Sequence, residues 1–365
     1  MKIGVLTSSR ADYGIYKPLL DDLKNDGFFQ LEIISFGTHL SSEYGYTVSD
    51  IISDDYNVIH KICRLGNDDS PKGIVQSYGT TLLKFSEFWN NNKFDIVLCL
   101  GDRFEMSAAV QASIPFNVSL AHIHGGETTL GAIDNIYRHQ ISLASKYHLV
   151  STELNKNKVI KLTGTKKNIH NIGSLSLSEI ENFKPLNKNI LFSNFKIEDA
   201  PFVLVTFHPE TIAVEKNNKF SIEMRKALEY LSNSINVVIT MPNADTLGSV
   251  YRDQLLILKE RQPTKIYLVE NFGKENYFSA MHYSEFLIGN TSSGIIEAAS
   301  FGKYVLNVGD RQKGRSQSKN TFNTIFTKND IVKNALRIFN LGTYKEENIY
   351  YKKNSSKLII DILKK

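Results

Sequence analysis

The chain has 365 residues, with 43 Lys and Arg against 38 Asp and Glu and a formal net charge of +5. That length holds two domains of ordinary size, and the slight basic excess, spread along the chain, argues against nucleic acid and suits a small anionic ligand. Two scattered cysteines exclude a disulfide framework and a cysteine zinc site, and no apolar run approaches the ~20 residues of a membrane span.

The N-terminal segment MKIGVLTSSRADYG has no signal-peptide pattern, since its short apolar run meets Arg10 and Asp12; a cytoplasmic protein is expected. Five short apolar runs follow: KIGVL (2–6), LEIISF (31–36), DIVLCL (95–100), NVSLAHI (117–123) and YHLVS (147–151). They are continuous rather than alternating, as strands covered on both faces of a parallel sheet read. Amphipathic stretches separate them. Ile15–Leu23 and Ile74–Trp89 are read as helices, the latter with Ile74, Tyr78, Leu82, Phe85 and Trp89 at helical spacing for core packing. A polar stretch, Glu179–Asp199, reads as an interdomain connection with one helical turn. The pattern then restarts with FVLVTF (202–207), NVVITM (236–241), KIYLV (265–269), EFLIG (285–289) and KYVLNV (303–308), with helices over Lys219–Leu231, Val250–Arg261 and Ile295–Phe301. Asn354–Lys365 has an apolar and basic helix pattern. Two βα arrays in one chain predict two doubly wound α/β sheets.

The chemically loaded residues sit just after the strands, where open α/β sheets place ligands. NTSSGIIEA (290–298) combines a strand end, a hydroxyl-rich turn and a helix start. Free amides and the helix dipole there make an anion site, with Gly294 allowing close approach; the alternative is that Ser292 or Ser293 is only a helix cap. Arg10 and Arg311, each following a strand, suit a phosphate through their planar fork, or else pair with Asp12 and Asp310. His122, His124, Glu127, Asp134, Arg138 and His139 form a dense polar cluster. His-x-His is compatible with a metal, but no further ligand set has metalloenzyme spacing, so no metal is expected. His124, Asp102 and Asp134 suit general acid–base work, and His208 before Pro209 suits a place in the same site, packing being the alternative. The absence of a Walker loop and of Gly-x-Gly-x-x-Gly counts against ATP hydrolysis and a dinucleotide cofactor; no cofactor is expected.

The ordered segments SRADYG, FGTHLSSEYGYT, LGDRFE, HIHGGE, GAIDNIYRH, NIGS, FHPET, PNAD, IGNTSSGIIEA and NVGDRQKGR together resemble the hydrolysing UDP-N-acetylglucosamine 2-epimerases, especially the branch forming N-acetylmannosamine for sialic acid synthesis. The resemblance implies two Rossmann-like domains of glycosyltransferase-B type with the active site in the interdomain cleft, and a homodimer. It implies an N-terminal domain over 1–178, a UDP-binding domain over 179–350, and a helix over 351–365 packing back toward the N-terminal domain. It also implies release of UDP from a UDP-sugar and inversion at carbon 2. By the same resemblance Arg10, Thr291, Ser292, Ser293 and Gly294 hold the diphosphate, Glu297 the ribose, and the backbone near Phe272 the uracil. Arg103, Glu127, Asn243, His208 and Arg311 line the UDP and sugar side, and Asp102, Asp134 and Arg138 surround the reacting sugar. The chain departs from the pattern at His124, where many relatives have Glu, and at Ile15, where they often have Lys; Lys17 is the expected substitute. A UDP-2,4-diacetamido-2,4,6-trideoxyglucose 2-epimerase on the route to legionaminic acid is the alternative, followed by a glycosyltransferase on the same fold and a non-catalytic UDP-sugar sensor.

Overall fold

The computed structural model describes all residues except 43–44, 64–69, 211, 213 and 243–247. In chain order the first elements are β1 (Lys2–Thr7), α1 (Arg10–Asn25), β2 (Gln30–Gly37), α2 (Val48–Ser53), β3 (His60–Cys63), α3 (Pro71–Asn91), β4 (Ile96–Leu100), α4 (Phe104–Ser113), β5 (Leu120–Ile123), α5 (Asp134–Ala144), β6 (Tyr147–Val150), α6 (Glu153–Thr163) and β7 (Ile169–Asn171). There follow α7 (Lys188–Phe195), β8 (Phe202–Thr206), α8 (Asn217–Leu231), β9 (Asn236–Thr240), α9 (Gly248–Arg261), β10 (Ile266–Val269), α10 (Gly273–Tyr283), β11 (Leu287–Gly289), α11 (Ser292–Ile296), β12 (Val305–Val308), β13 (Thr321–Thr324), α12 (Lys328–Phe339) and α13 (Ser355–Leu363).

The chain forms two compact units. The first comprises Met1–Glu127, Asp134–Glu179 and Tyr350–Lys365; the second comprises Thr128–Ile133 and Ile180–Ile349. The six residues Thr128–Ile133 therefore group with the second unit, although they lie within the span 1–178 read from sequence as the first domain.

In the first unit seven strands pair in the order β3-β2-β1-β4-β5-β6-β7, and in the second six pair in the order β10-β9-β8-β11-β12-β13. Every pairing is parallel. Each order is the doubly wound one, which reverses direction beside its first strand: between β1 and β4 in one unit and between β8 and β11 in the other.

The continuous apolar runs follow from this topology. Ile3, Val5, Ile33 and Leu98 feed one core of the first unit, while Leu6, Ile34, Val97 and Cys99 feed the core on the opposite face. Val203, Val205 and Ile239 likewise face one core of the second unit, and Leu204 and Val238 the other. Alternate side chains point to opposite faces, so a strand with two covered faces is apolar throughout. Helix starts follow local chemistry. Ser70 Oγ accepts the Gly73 N–H at 3.1 Å above α3, and Thr152 Oγ1 accepts the Asn155 N–H at 3.1 Å above α6. Glycine closes α6, with Gly164 at φ +71°.

Several boundaries differ from the sequence reading. The run 117–123 is a strand only from Leu120, because Asn117 adopts φ +53° at the end of a 3-10 turn. The polar connection contains the two-turn helix α7, which Asn187 caps and which buries Leu191 and Phe192 in the second unit. Helix α13 belongs to the first unit and places Ile359, Ile360 and Leu363 in its core beside Leu20, Ile172 and Leu175. Among the described residues no helix is long and apolar enough to cross a membrane.

Candidate active site

In the first unit, the turn after β1 is closed by Asp12, whose carboxylate accepts the Ser8 N–H at 2.7 Å and the hydroxyls of Ser8 and Ser9. Arg10 opens α1 just beyond this turn and is exposed. The end of β2 meets the same turn so closely that a Cβ on Gly37, at φ +62°, would lie 2.7 Å from the Ser8 carbonyl oxygen. Lys17 Nζ pairs with Asp54 at 2.9 Å, a carboxylate that also accepts the Tyr13 hydroxyl at 2.6 Å.

After β4, Asp102 forms an ion pair with Arg138 of α5, and the Arg138 side chain is only 3% exposed. The same guanidinium donates to the Glu127 carbonyl at 3.1 Å and to Asn135 Oδ1 at 3.4 Å. The Glu127 carboxylate accepts a hydrogen bond from Asn155 Nδ2 at 3.0 Å, and Asn155 is fully buried. Asp102, Glu127, Arg138 and Asn155 thus form one network spanning the ends of β4 and β5 and the starts of α5 and α6. Asp134 stands at the first position of α5, four residues before Arg138 on the same helix face. Arg103 donates to both carboxylate oxygens of the fully buried Glu105, at 3.2 and 3.3 Å, which fixes its guanidinium at the head of α4.

The two histidines after β5 differ. His122 is fully buried; its Nε2 donates to the Gly101 carbonyl at 2.8 Å and its Nδ1 accepts from the Ser142 hydroxyl at 2.9 Å. Burial depresses its pKa to about 3, so it is a satisfied core residue. His124 is partly exposed and takes φ +63°. Among the described residues no group of three or more His, Cys, Asp or Glu is placed to hold a metal ion.

In the second unit the corresponding strand ends are organised by Asn290, which is fully buried. Its side chain accepts the His208 N–H at 2.8 Å and donates to the His208 carbonyl at 2.8 Å. Its backbone oxygen accepts Arg311 Nη1 at 3.2 Å and Gln312 Nε2 at 2.9 Å. One asparagine thus ties the segment after β8 and the segment after β12 to the turn after β11. Burial first, then the Arg311 charge, hold the His208 imidazole well below its usual pKa, and its Nδ1 has no partner among the described residues. Glu210 Oε1 accepts the Asp310 N–H at 2.9 Å and braces the Arg311 segment from its other side.

Thr291, not Ser292 or Ser293, caps α11, accepting the Ser293 N–H at 3.3 Å. Gly294 also has a packing reason. A Cβ there would meet Val305 Cγ1 at 3.1 Å, so the glycine lets the helix pack on β12. Glu297 ends this helix and is 7% exposed. Phe272 precedes α10 with its ring buried and its carbonyl accepting Asn276 Nδ2 at 2.7 Å. Asn243 lies outside the described residues. The Thr128–Ile133 segment lies on the Arg311 loop: Leu130 N–H donates to the Lys313 carbonyl at 2.8 Å, and a Cβ on Gly131 would be 2.5 Å from the Asp310 carbonyl oxygen. Sequence reading missed Asn290 and Asn155 as organising residues, because an isolated asparagine carries no signal until its partners are known.

Two parallel doubly wound units with polar strand ends at both switch points define a two-Rossmann protein of glycosyltransferase-B type. The fold matches the crystal structure of UDP-GlcNAc 2-epimerase from Neisseria meningitidis bound to UDP-GlcNAc, with a TM-score of 0.83 over 100% of this chain and 99% of that one, at 17% identity. The chain belongs to the UDP-N-acetylglucosamine 2-epimerase family, whose profile matches residues 21–364. Among relatives, it is 35% identical over 87% of its length to the GDP/UDP-N,N'-diacetylbacillosamine 2-epimerase (hydrolyzing) of Campylobacter jejuni, covering 83% of that protein. It is 35% identical over 91% of its length to the Polysialic acid biosynthesis protein P7 of Escherichia coli, covering 84% of it. It is 30% identical over its whole length to the UDP-N,N'-diacetylbacillosamine 2-epimerase (hydrolyzing) of Legionella pneumophila, covering 95% of it. The chain is thus an enzyme of the UDP-sugar 2-epimerase class.

Proposed function

We propose that the protein is a hydrolysing 2-epimerase acting on a UDP-linked 2,4-diacetamido-2,4,6-trideoxyglucose, the sugar called N,N'-diacetylbacillosamine. The observation that carries this reading is its similarity, at 35% and 30% identity, to two relatives bearing that activity in their names. It replaces the N-acetylmannosamine-forming reaction expected from sequence as the leading reading. That reaction stays as the second reading, favoured by the 35% identity to the polysialic acid protein.

The chemistry has two balanced steps. In the first, a base takes the carbon-2 hydrogen as a proton, the C–H electron pair forms a double bond to carbon 1, and the carbon 1–oxygen pair leaves on UDP. In the second, water gives its oxygen to carbon 1 and a proton to a base, while an acid returns a proton to the opposite face of carbon 2. Thr291, Ser292, Ser293, Arg10 and Arg311 are assigned to the diphosphate, where amides and guanidinium groups stabilise the departing charge. Glu297, Phe272 and Asn243 are assigned to the nucleoside, and Arg103, Glu127 and His208 to orienting groups around the sugar. Asp102 and Asp134 are the proton carriers, with Arg138 holding Asp102. A cytoplasmic homodimer that uses no cofactor or metal completes the reading.

The test is incubation of the protein with each UDP-sugar in deuterated water, followed by NMR of both products. Released UDP and a manno-configured 2,4-diacetamido sugar carrying deuterium at carbon 2 are expected. Retention of the original hydrogen and gluco configuration overturns the epimerase chemistry. Strong preference for UDP-N-acetylglucosamine selects the second reading.

A further inference from the structure

We propose that the cavity at the outer edge of β7 binds a small organic anion, a monocarboxylate with an apolar body, at a site separate from the one assigned to the UDP-sugar.

The cavity has a volume of about 300 Å³ and lies wholly within the first unit. That volume is at the lower end for small-molecule sites, which run from ~300 to ~1,000 Å³. Three pieces of chain enclose it: the first turn of α6, β7 with the residue after it, and the last stretch of chain around α13. None of the residues assigned to the UDP-sugar lines it. Helix α6 serves both places from different faces. Asn155 turns to Glu127, while Glu153 and Lys156, one helical turn apart, line the cavity.

One wall is apolar. Ile169 and Ile172 are buried, and Leu358 and Ile362 stand four residues apart on α13, half-buried against the core of the unit. β7 is the last strand of its sheet, so α13 and not a further strand flanks this wall.

The other wall is cationic and held in place. Lys352 is fixed at its stem, where a Cβ on Gly173 would lie 2.6 Å from Lys352 Cβ. The Lys352 carbonyl accepts the Ser355 hydroxyl at 2.9 Å, and its Nζ donates to the Asn171 carbonyl at 2.9 Å. An ammonium carries three hydrogens, and this bond uses one. Lys156 Nζ stands 3.9 Å from Glu153 Oε2, beyond hydrogen-bond range. Glu153 Oε1 instead accepts Asn171 Nδ2 at 2.9 Å. His170 completes the rim. Burial first, then the charges of Lys156 and Lys365, lower its pKa, so it adds no charge at neutral pH.

The charges on the cavity select the ligand. Two ammonium groups, Lys156 and Lys352, stand against one carboxylate, Glu153. A monoanion balances the excess, whereas a dianion brings a second charge that only Glu153 meets, and repels. The apolar wall gains from hydrocarbon and nothing from a bare inorganic ion. A carboxylate on a short hydrocarbon body meets both walls.

Hexanoate is the probe, added to the whole protein in the presence of excess UDP so that the nucleotide site is occupied. Proton–carbon NMR of protein labelled at the isoleucine δ1 methyls reads binding, with signals identified through Ile169→Val, Ile172→Val and Ile362→Val. Saturable shifts at these three methyls with a Kd of ~1 mM are expected, usual for a ligand of about eight non-hydrogen atoms. Lys156→Gln and Lys352→Gln should each weaken binding ~10-fold, the effect of one charge-assisted hydrogen bond. Glu153→Gln should tighten it, because glutamine keeps the acceptor for Asn171 and drops the opposing charge. 1-Hexanol lacks the charge and inorganic phosphate lacks the body, so each should bind at least ~10-fold more weakly. Absence of saturable shifts, equal binding of 1-hexanol or phosphate, or unchanged affinity in all three charge variants overturns the proposal. Loss of the shifts on adding UDP also overturns it, by placing hexanoate in the nucleotide site. The readout uses no UDP-sugar and no turnover, so failure of the epimerase reading leaves it intact.

Discussion

The two units place polar groups at the same topological position and build them from different materials. In the first unit the strand ends carry ionisable side chains clamped to one another: Asp102 to Arg138, Arg138 to the Glu127 carbonyl, and Glu127 to Asn155. In the second they carry amides and hydroxyls: Asn290 bonded to His208, Arg311 and Gln312, with Thr291 capping the following helix. Proton chemistry needs groups whose charge changes, while holding a dianion needs donors whose charge does not. Under the proposed function the difference divides the labour, with proton transfer in the first unit and most of the phosphate contacts in the second, Arg10 of the first unit joining them.

The largest expected effect breaks this division at its most chemical point. Asp102→Asn removes a proton carrier, so kcat should fall ~100- to 10,000-fold, with UDP affinity by calorimetry much less changed. If UDP affinity collapses equally in a protein that melts normally, the division is wrong.

Asn290→Ala tests the other side. It strips partners from two backbone groups of His208, each buried group left unsatisfied costing ~1–3 kcal/mol. A loss of ~2–4 kcal/mol in urea unfolding and a clear drop in UDP affinity are expected. Unchanged affinity removes Asn290 from the phosphate side.

Acid should weaken the first unit more. Burial lowers the pKa of His122 to about 3 and of His148 to about 4, and it lowers that of His39 too. In the second unit the His208 pKa is strongly lowered and that of His282 is lowered as well. In each case the unfolded chain binds the proton more readily, so this stability is complete above the unfolded pKa of ~6.5 and is lost as pH falls toward the folded value. At about pH 5 the burial of His122, His148 and His208 costs ~2 kcal/mol each. Hydrogen exchange resolved along the chain should show protection falling first around β5 and β6; earlier loss in the second unit contradicts the comparison.

Gly294→Ala separates packing from binding within the second unit. The added methyl presses on Val305, so ~1–3 kcal/mol of destabilisation is expected, read by melting temperature. A stable variant with lost UDP affinity would support the reading that the glycine admits a phosphate. The smallest effect belongs to Lys17→Ala. Its partly exposed pair with Asp54 should contribute under ~1 kcal/mol, and a several-fold rise in KM would instead place Lys17 with the substrate.

The strands legible in the sequence were those with two covered faces. β3, β7 and β13 were missed: β3 alternates half-buried and exposed residues, β7 has three residues, and β13 is polar. All three lie at sheet edges, where one flank lacks a partner and the apolar signal fades. In the site, motif positions after strands were legible because charged and glycine residues stand out against apolar runs. Partnerships were not. Nothing in the order of residues says that Lys17 meets Asp54, that Asn290 grips His208, or that Gly294 lies against Val305, since each depends on a residue far along the chain.

The first unit is written in three separate stretches of chain, the last of which supplies α13 to its core. A ribosome adding ~5–20 residues per second delivers that helix on the order of ten to forty seconds after the sheet it completes. During that interval the apolar surface around Leu20, Ile172 and Leu175 waits for α13 while Ile180–Ile349, nearly all of the second unit, is being made. The half of the molecule made first is therefore the half finished last, and it is the half that chaperones have most reason to attend during synthesis.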